Sequence, residues 1–119
     1  MKEIQPKSSI NATIRMPGSK SITHRALIAA SLANGESLLK GFLTSKDTFY
    51  TVNALRELGV EISIAGKNIT ISGLGGKFPV AADRKEIFLG NSGTSYRLLL
   101  STISLARGEY SLTGTPRMY

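Results

Sequence analysis

A glycine, two hydroxyl groups and two cations lie close together near the start of the chain. The run is Pro17-Gly18-Ser19-Lys20-Ser21, and Arg25 follows Ser21 by four residues. If this run opens a helix, its unpaired backbone N–H groups and the positive end of the helix dipole favour an anion. Arg25 would share a helix face with Ser21 and offer a fork-shaped donor. The cluster predicts a carboxylate or phosphate site. An ordinary capped helix with solvated charges is the alternative, and the spacing is not that of a P-loop.

A second run has the same chemistry. It is Gly90-Asn91-Ser92-Gly93-Thr94, with Arg97 four residues after Gly93. Gly93 would let a ligand approach the backbone, while Asn91, Ser92 and Thr94 would supply donors. Asn and Ser are also common helix caps, so a purely structural role stays open. Two such helix starts could converge on one polyanionic substrate.

Two further ionisable residues are weaker candidates. His24 is expected to point away from Arg25, which makes a catalytic role the less favoured interpretation. Asp47 is expected to stabilise a helix start rather than to act as a general base. No pair of carboxylates is placed for acid–base catalysis, so we assign no catalytic residue.

Composition limits the function classes. The 119 residues contain 15 Lys and Arg against 8 Asp and Glu, a net charge of +7, which predicts an anionic partner. That partner is either a nucleic acid or a small polyanionic metabolite. The chain has no cysteine and one histidine, which argues against disulfides, thiolate chemistry and a metal site. No apolar run has the length of a membrane span or the character of a signal peptide, so we expect a cytoplasmic protein without membrane contact.

The elements that must position these residues follow from apolar periodicity and turn chemistry. Alternation predicts strands, helical spacing between caps predicts helices, and Gly and Pro mark the breaks. The predicted strands are 8–15, 36–42, 60–65, 68–72, 86–89 and 109–113. The predicted helices are 19–33, a second that is capped by Thr44-Ser45-Lys46-Asp47 and runs to about residue 58, and 91–106. Residues 73–84 are predicted to be a loop and the only internal boundary. The resulting order is β-α-β-α-β-β, followed by a second start of the same pattern.

An internal repeat supports this second start. Residues 31–41 match residues 104–114 at an offset of 73, with seven of eleven positions identical. Chance similarity between two helix, glycine and strand segments is one explanation. The other is a repeated unit of about 70 residues, as in stacked or pseudo-symmetric architectures. The first unit would then occupy about 8–80, and the start of a second unit about 84–119.

Three segments resemble known signatures. Residues 17–27 resemble the first signature of the 5-enolpyruvylshikimate-3-phosphate synthases, residues 89–97 the second, and residues 112–118 the opening of the third. All three occur in the family's order and spacing. The resemblance implies an α/β (α+β) enolpyruvyl transferase fold of repeated βαβαββ units. About one and a half units are present, so the chain would be a partial N-terminal region of such an enzyme.

The resemblance also implies an activity. The family transfers the enolpyruvyl group of phosphoenolpyruvate to the 5-hydroxyl of shikimate 3-phosphate and releases phosphate, in aromatic amino-acid synthesis. It uses no metal and no organic cofactor, and its substrates bind where two domains close. Nucleic acid is not among its partners. The remaining C-terminal units would be needed for a complete site, so we expect this chain to be inactive alone.

Site roles carry over by position. By resemblance, shikimate 3-phosphate would be bound by Lys20, Ser21 and Arg25. Phosphoenolpyruvate would be bound by Lys20 and Gly93. Supporting roles would fall to Asn91, Thr94 and Arg97.

The chain also departs from the family pattern. Leu98 follows Arg97 where proline is usual, and Ser92 and Ser95 stand where alanine is frequent. These changes beside Gly93 could alter the affinity for phosphoenolpyruvate or the sensitivity to glyphosate, the family's competitive inhibitor. Two other hypotheses stay open: a basic RNA- or anion-binding module built on the same repeat, and one half of a split enzyme.

Overall fold

The computed structural model describes residues 2–119. These residues form three α-helices, five β-strands and a short 3₁₀ helix. In chain order they are α1 (Lys20–Leu32), β1 (Asn34–Lys40), α2 (Lys46–Glu57), β2 (Glu61–Ala65), β3 (Asn68–Leu74), β4 (Lys85–Phe88), α3 (Gly93–Ile103), β5 (Tyr110–Thr113) and the 3₁₀ helix Pro116–Met118. Within residues 2–119, no helix has the length and apolar character needed to cross a bilayer.

Each α-helix begins after a serine cap. The hydroxyl oxygens of Ser19, Ser45 and Ser92 accept the backbone N–H three residues ahead, which satisfies one of the unpaired N–H groups of the first turn. At Ser45 the cap is reciprocal, because its own N–H donates to the hydroxyl of Thr48 at 2.9 Å. The sequence prediction of three helices is confirmed.

The strands form two small sheets. The order in the first sheet is β1-β3-β2, and all of its pairs are antiparallel. The second sheet pairs β4 with β5 in parallel. Helix α3 forms the crossover connection between these two strands. The hairpin of β2 and β3 turns at Gly66, whose φ of +60° favours glycine. This turn lies between the two strands that the sequence predicts at 60–65 and 68–72.

The core lies between the first sheet and the helices. Ile62 pairs with Ile71 across β2 and β3, and Ile64 pairs with Ile69, so these side chains share one face of the sheet. Helix α1 packs against β3. The fully buried apolar residues of this core are Leu27, Val52, Leu55, Ile69, Ile71, Leu89 and Leu99.

The predicted strand at 8–15 is wrong. Residues 9–19 have no regular secondary structure, and Ile10 and Ile14 are 84% and 75% exposed. Alternating sequence expresses a preference for a strand, but a strand also needs a neighbour to accept its hydrogen bonds and cover its apolar side. Among residues 2–119 no strand pairs with this segment.

Several element boundaries also differ from the predictions. Strand β3 continues to Leu74, two residues into the predicted loop 73–84. Helix α3 ends at Ile103 rather than at Ala106, because the N–H groups of Leu105 and Ala106 bond to carbonyls three residues back and tighten the chain into turns. Strand β1 begins at Asn34, two residues earlier than predicted, and ends before Gly41, whose φ is +70°.

The offset of 73 found in the sequence also relates the helix starts. The capping residues Ser19 and Ser92 differ by 73 positions, and so do the first helical residues of α1 and α3, Lys20 and Gly93. Gly35 and Gly108, again 73 apart, both have positive φ, +93° and +130°. The fold is α+β, with β1-α2-β2-β3 after α1 and a second strand-helix-strand start at β4.

Candidate functional site

The starts of helices α1 and α3 flank one cleft. Its volume is about 510 Å³, and its lining residues are Ser21, Arg25, Thr94, Arg97 and Leu98. Two of these are from the first turns of α1, and three are from the first turns of α3. The lining contains two guanidinium groups and no carboxylate. The cleft therefore combines two helix N-termini with two fixed positive charges, an arrangement that favours a polyanion.

On the α1 side, Arg25 lies over the first turn of its own helix. Its Nε donates to the backbone oxygen of Ser21 at 3.2 Å. This bond occupies one of the five guanidinium N–H groups. The N–H groups of the two terminal nitrogens are left for a ligand. Arg25 and Ser21 are both exposed, and the predicted face-sharing of these residues is confirmed.

On the α3 side, Thr94 and Arg97 reach the cleft but Ser92 does not. Ser92 is 2% exposed, and its hydroxyl oxygen accepts the N–H of Ser95 at 3.3 Å. Its role as a donor to a ligand, expected from the sequence, is therefore wrong: the hydroxyl is used to cap the helix. Asn91 is exposed on the turn before it.

Lys20 lies at the edge of this arrangement. Its ammonium group is 2.8 Å from Oδ2 of Asp47, and it does not line the cleft. Asp47 is in the first turn of α2, where a carboxylate also interacts favourably with the helix dipole. The expected helix-start role of Asp47 is confirmed, and its contact with Lys20 adds a second one.

Gly90 and Gly93 differ in why they are glycine. At Gly90 the φ is +58°, and a Cβ would collide with the ring of Tyr50. At Gly93 a Cβ would meet no atom within 4 Å. The fold thus requires glycine at Gly90. The open space above Gly93, by contrast, leaves room for a ligand or for a part of the protein outside the described residues.

The segment that resembles the third signature packs against the second. The N–H of Thr115 donates to the carbonyl of Gly90 at 2.8 Å, and the N–H of Leu89 donates to that of Thr113 at 2.8 Å. A Cβ on Gly114 would lie 2.6 Å from the Gly90 carbonyl. The two segments therefore form one closely packed corner next to the start of α3.

A buried polar chain runs behind the cleft. His24 is 0% exposed, and its Nδ1 lies 2.8 Å from the hydroxyl of Thr51. That hydroxyl is 2.8 Å from the hydroxyl of Ser95. Burial lowers the pKa of His24 from its usual 6.5; the carboxylate of Asp47 opposes this shift and the ammonium of Lys20 adds to it. A neutral imidazole is therefore favoured.

The sequence did not reveal Thr51 as part of the site region. It lies 27 residues after His24 and 44 before Ser95, and a threonine inside a helix carries no motif. The only available signal was its position at the apolar face of α2, where a hydroxyl needs a buried partner. Within residues 2–119, His, Asp and Glu side chains form no group of three that could hold a metal ion.

Comparison with known proteins gives the same family throughout. The family model of EPSP synthase (3-phosphoshikimate 1-carboxyvinyltransferase) matches residues 4–119. The 3-phosphoshikimate 1-carboxyvinyltransferase of Shewanella amazonensis is 44% identical over 118 residues, which are 97% of this chain and 27% of that protein. The one from Cupriavidus taiwanensis is 44% identical over 114 residues, covering 96% of this chain and 26% of that protein. The chain spans about a quarter of the length of these relatives.

Solved structures give the same answer for the fold. An EPSP synthase from Acinetobacter baumannii superposes with a TM-score of 0.75 at 35% identity, covering 87% of this chain and 23% of that one. A second structure of the enzyme from this organism gives a TM-score of 0.77 at 33% identity. Sequence, fold and the three signature segments agree, and the chain belongs to the EPSP synthase family.

Proposed function

We propose that this chain supplies part of an enolpyruvyl transferase that moves the enolpyruvyl group of phosphoenolpyruvate to the 5-hydroxyl of shikimate 3-phosphate and releases phosphate. The observation that carries the proposal is the cleft between the starts of α1 and α3, with Arg25 and Arg97 and no acid in its lining. Both substrates are anions. Holding them side by side requires positive charge that offsets their repulsion.

Within this cleft, we assign shikimate 3-phosphate to the α1 side. Arg25 and Ser21 offer a guanidinium fork and a hydroxyl, and both are exposed. Lys20 would bind both substrates. Its ammonium group would then have to move away from Asp47, or contact Asp47 and a substrate at the same time. The pair is half exposed, with side chains 49% and 31% accessible, so this exchange costs about 1 kcal/mol or less.

Phosphoenolpyruvate is assigned to the α3 side. The open space above Gly93 admits a ligand against the backbone. Thr94 and Arg97 face the same cleft, and Asn91 shapes the exposed turn before the helix. Charge that develops at the tetrahedral carbon, formed by addition and lost by elimination, would be stabilised by these fixed donors.

The remaining units complete the site in this proposal. The first repeated unit would occupy about 8–80, of which the αβαββ part is formed in this structure, and a second would begin at about 84. The rest of the site would be supplied by further units that close over the cleft. We therefore expect the isolated chain to have no catalytic activity. Because both substrates are phosphorylated metabolites that do not cross membranes unaided, we propose the cytoplasm as the compartment.

A chimera tests the proposal. Residues 2–119 replace the matching quarter of the Shewanella amazonensis relative, and phosphate release is measured with both substrates, with either one alone, and with the isolated chain. We expect release only from the chimera and only when both substrates are present. A folded chimera that binds neither substrate by calorimetry would contradict the proposal. Turnover by the isolated chain would contradict the need for further units.

A second candidate function rests on the net charge of +7. A basic module of this size could bind RNA through phosphate contacts. Filter binding at rising salt separates the two: nanomolar RNA affinity with a steep salt dependence would favour this alternative over shikimate 3-phosphate binding.

A further inference from the structure

Four buried side chains on three helices form one hydrogen-bonded chain. It runs from Nδ1 of His24 on α1 to the hydroxyl of Thr51 on α2 and the hydroxyl of Ser95 on α3, each step being 2.8 Å. From Ser95 it continues 2.6 Å to the hydroxyl of Ser92. The exposed fractions of the four side chains are between 0% and 2%. No water reaches these groups easily, so each depends on its neighbour in the chain.

Thr51 is the central link. Its hydroxyl carries one proton and contacts both His24 and Ser95, so it can donate to at most one of them and accepts from the other or from both. Replacing it by an apolar group of equal size would leave Nδ1 of His24 without its hydrogen-bond partner in a dry interior. Ser95 would lose one of its contacts but keep Ser92 at 2.6 Å and the carbonyl of Asp47 at 3.4 Å. An unmade bond of that kind costs more than the bond itself contributes.

Ser92 is the last member of this hydrogen-bonded chain, and its contacts with Ser95 fix its position. Ser92 caps α3, and its oxygen receives both the N–H of Ser95 and the contact with the Ser95 hydroxyl. Gly93 follows it directly as the first helical residue. The cap of α1 differs, because Ser19 is exposed and its hydroxyl oxygen accepts the N–H of Ile22 without contacting a buried side chain. The α3 start is thus anchored to the interior through its capping side chain, whereas the α1 start is not.

We propose that Thr51 and Ser95 are positioning residues that hold the turn at Ser92 and Gly93 through this chain, with His24 as its inner end. The inference deepens the proposed function, on which it rests for the identity of the ligand at Gly93. A loosened turn weakens phosphoenolpyruvate binding, whereas the α1 side, with Ser21 and Arg25, keeps its geometry. The structure thus assigns specificity for one of the two substrates to a hydroxyl outside the cleft.

The test compares Thr51→Val with Thr51→Ser in the complete protein, meaning this chain with any sequence that its gene places beside it. Valine keeps the shape and removes the hydroxyl, while serine keeps the hydroxyl and removes a methyl group. Ser101→Ala, at an exposed position on α3, the helix that carries Ser95, is the control. Ser95→Ala is the second variant should Thr51→Val not fold.

Two readouts are taken. Hydrogen exchange of the amides of residues 93–96 should be at least ten-fold faster in Thr51→Val than in Thr51→Ser. The KM for phosphoenolpyruvate should rise at least five-fold in Thr51→Val, and the KM for shikimate 3-phosphate less than two-fold. Thr51→Ser and Ser101→Ala should stay within two-fold of the parent in all three measures.

The two readouts separate the inference from the proposed function. If exchange at residues 93–96 is the same in the valine and serine variants, or if both KM values rise together, the positioning role is overturned. If exchange responds as expected but the unmodified complete protein transfers no enolpyruvyl group, the positioning role holds and the proposed function fails.

Discussion

The ammonium group of Lys20, the first residue of α1, lies 2.8 Å from a carboxylate oxygen of Asp47 in the first turn of α2. This ion pair joins two helix starts at the edge of the cleft. It also keeps the cation of the first signature out of the cleft lining. In the proposed function, a ligand would have to compete with Asp47 for this ammonium group.

Replacing Lys20 separates its two roles. Lys20→Ala should weaken shikimate 3-phosphate binding by about 1.5 to 3 kcal/mol, as expected for charge-assisted hydrogen bonds. The free energy of unfolding should fall by less than about 1 kcal/mol, because the pair with Asp47 is half exposed. Calorimetry and urea unfolding of the complete protein measure these quantities. Lys77→Ala, at another exposed lysine, is the control, and equal affinity in both variants would refute the assignment.

Arg25 should depend on its shape as well as its charge. Arg25→Ala should weaken shikimate 3-phosphate binding by about 1.5 to 3 kcal/mol, and Arg25→Lys should restore only part of it, since an ammonium group cannot form a bidentate contact. Calorimetric titration of the three proteins decides this. Arg107→Ala, an exposed arginine away from the cleft, should have no effect. Full recovery of the affinity in Arg25→Lys would show that the positive charge alone, and not the guanidinium shape, determines binding.

The two glycines of the second signature should respond oppositely. Gly93→Ala should change the unfolding free energy by less than about 1 kcal/mol, because the space above it is open, yet weaken phosphoenolpyruvate binding on the order of ten-fold. Gly90→Ala should cost about 3 kcal/mol of stability, through its φ of +58° and the clash with Tyr50. Urea unfolding and phosphoenolpyruvate titration of both variants test this contrast. A destabilised Gly93→Ala that binds normally would reverse it.

His24 should make stability depend on pH. Burial lowers its pKa below 6.5 in the folded state, so the unfolded chain binds the proton more readily. The free energy of unfolding should be unaffected by this group well above pH 6.5 and should fall as the pH drops from 6.5 toward the folded pKa, by up to about 1.4 kcal/mol per pH unit. Urea unfolding at several pH values between about 5.5 and 7.5 measures the slope.

The control for this prediction is His24→Asn, which cannot titrate. The histidine is the only one among the 119 residues, and carboxyl groups titrate mostly below this window. The variant should therefore lose most of the slope between pH 5.5 and 6.5. An unchanged slope would assign the pH dependence to other groups.

Local chemistry predicted the helices well. Ser19 and Ser45 announce the starts of α1 and α2, because a serine cap acts within three residues. The same reasoning brought Ser21 and Arg25 to one helix face. It could not show that Thr94 and Arg97 line the same cleft, because that depends on how α1 packs against α3, a long-range contact between residues some 70 positions apart.

The errors have the same origin. The alternation at 8–15 predicts a strand, yet Ile10 and Ile14 find no partner strand among residues 2–119. His24, Thr51 and Ser95 look unremarkable as single residues, and only the tertiary packing of three helices makes them a chain. Periodicity reports what a segment prefers, whereas pairing and burial are properties of the assembled fold.

The exposed segment before α1 has a consequence for how unfolding is measured. Ile4, Ile10, Ile14 and Met16 are between 73% and 90% exposed in the folded chain, so unfolding uncovers almost no additional surface there. The denaturant m-value scales with newly exposed surface. Deleting residues 2–14 should therefore leave the m-value and the midpoint nearly unchanged, although it removes more than a tenth of the 119 residues. Denaturant titrations would therefore report the unfolding of the remaining residues and be insensitive to this stretch.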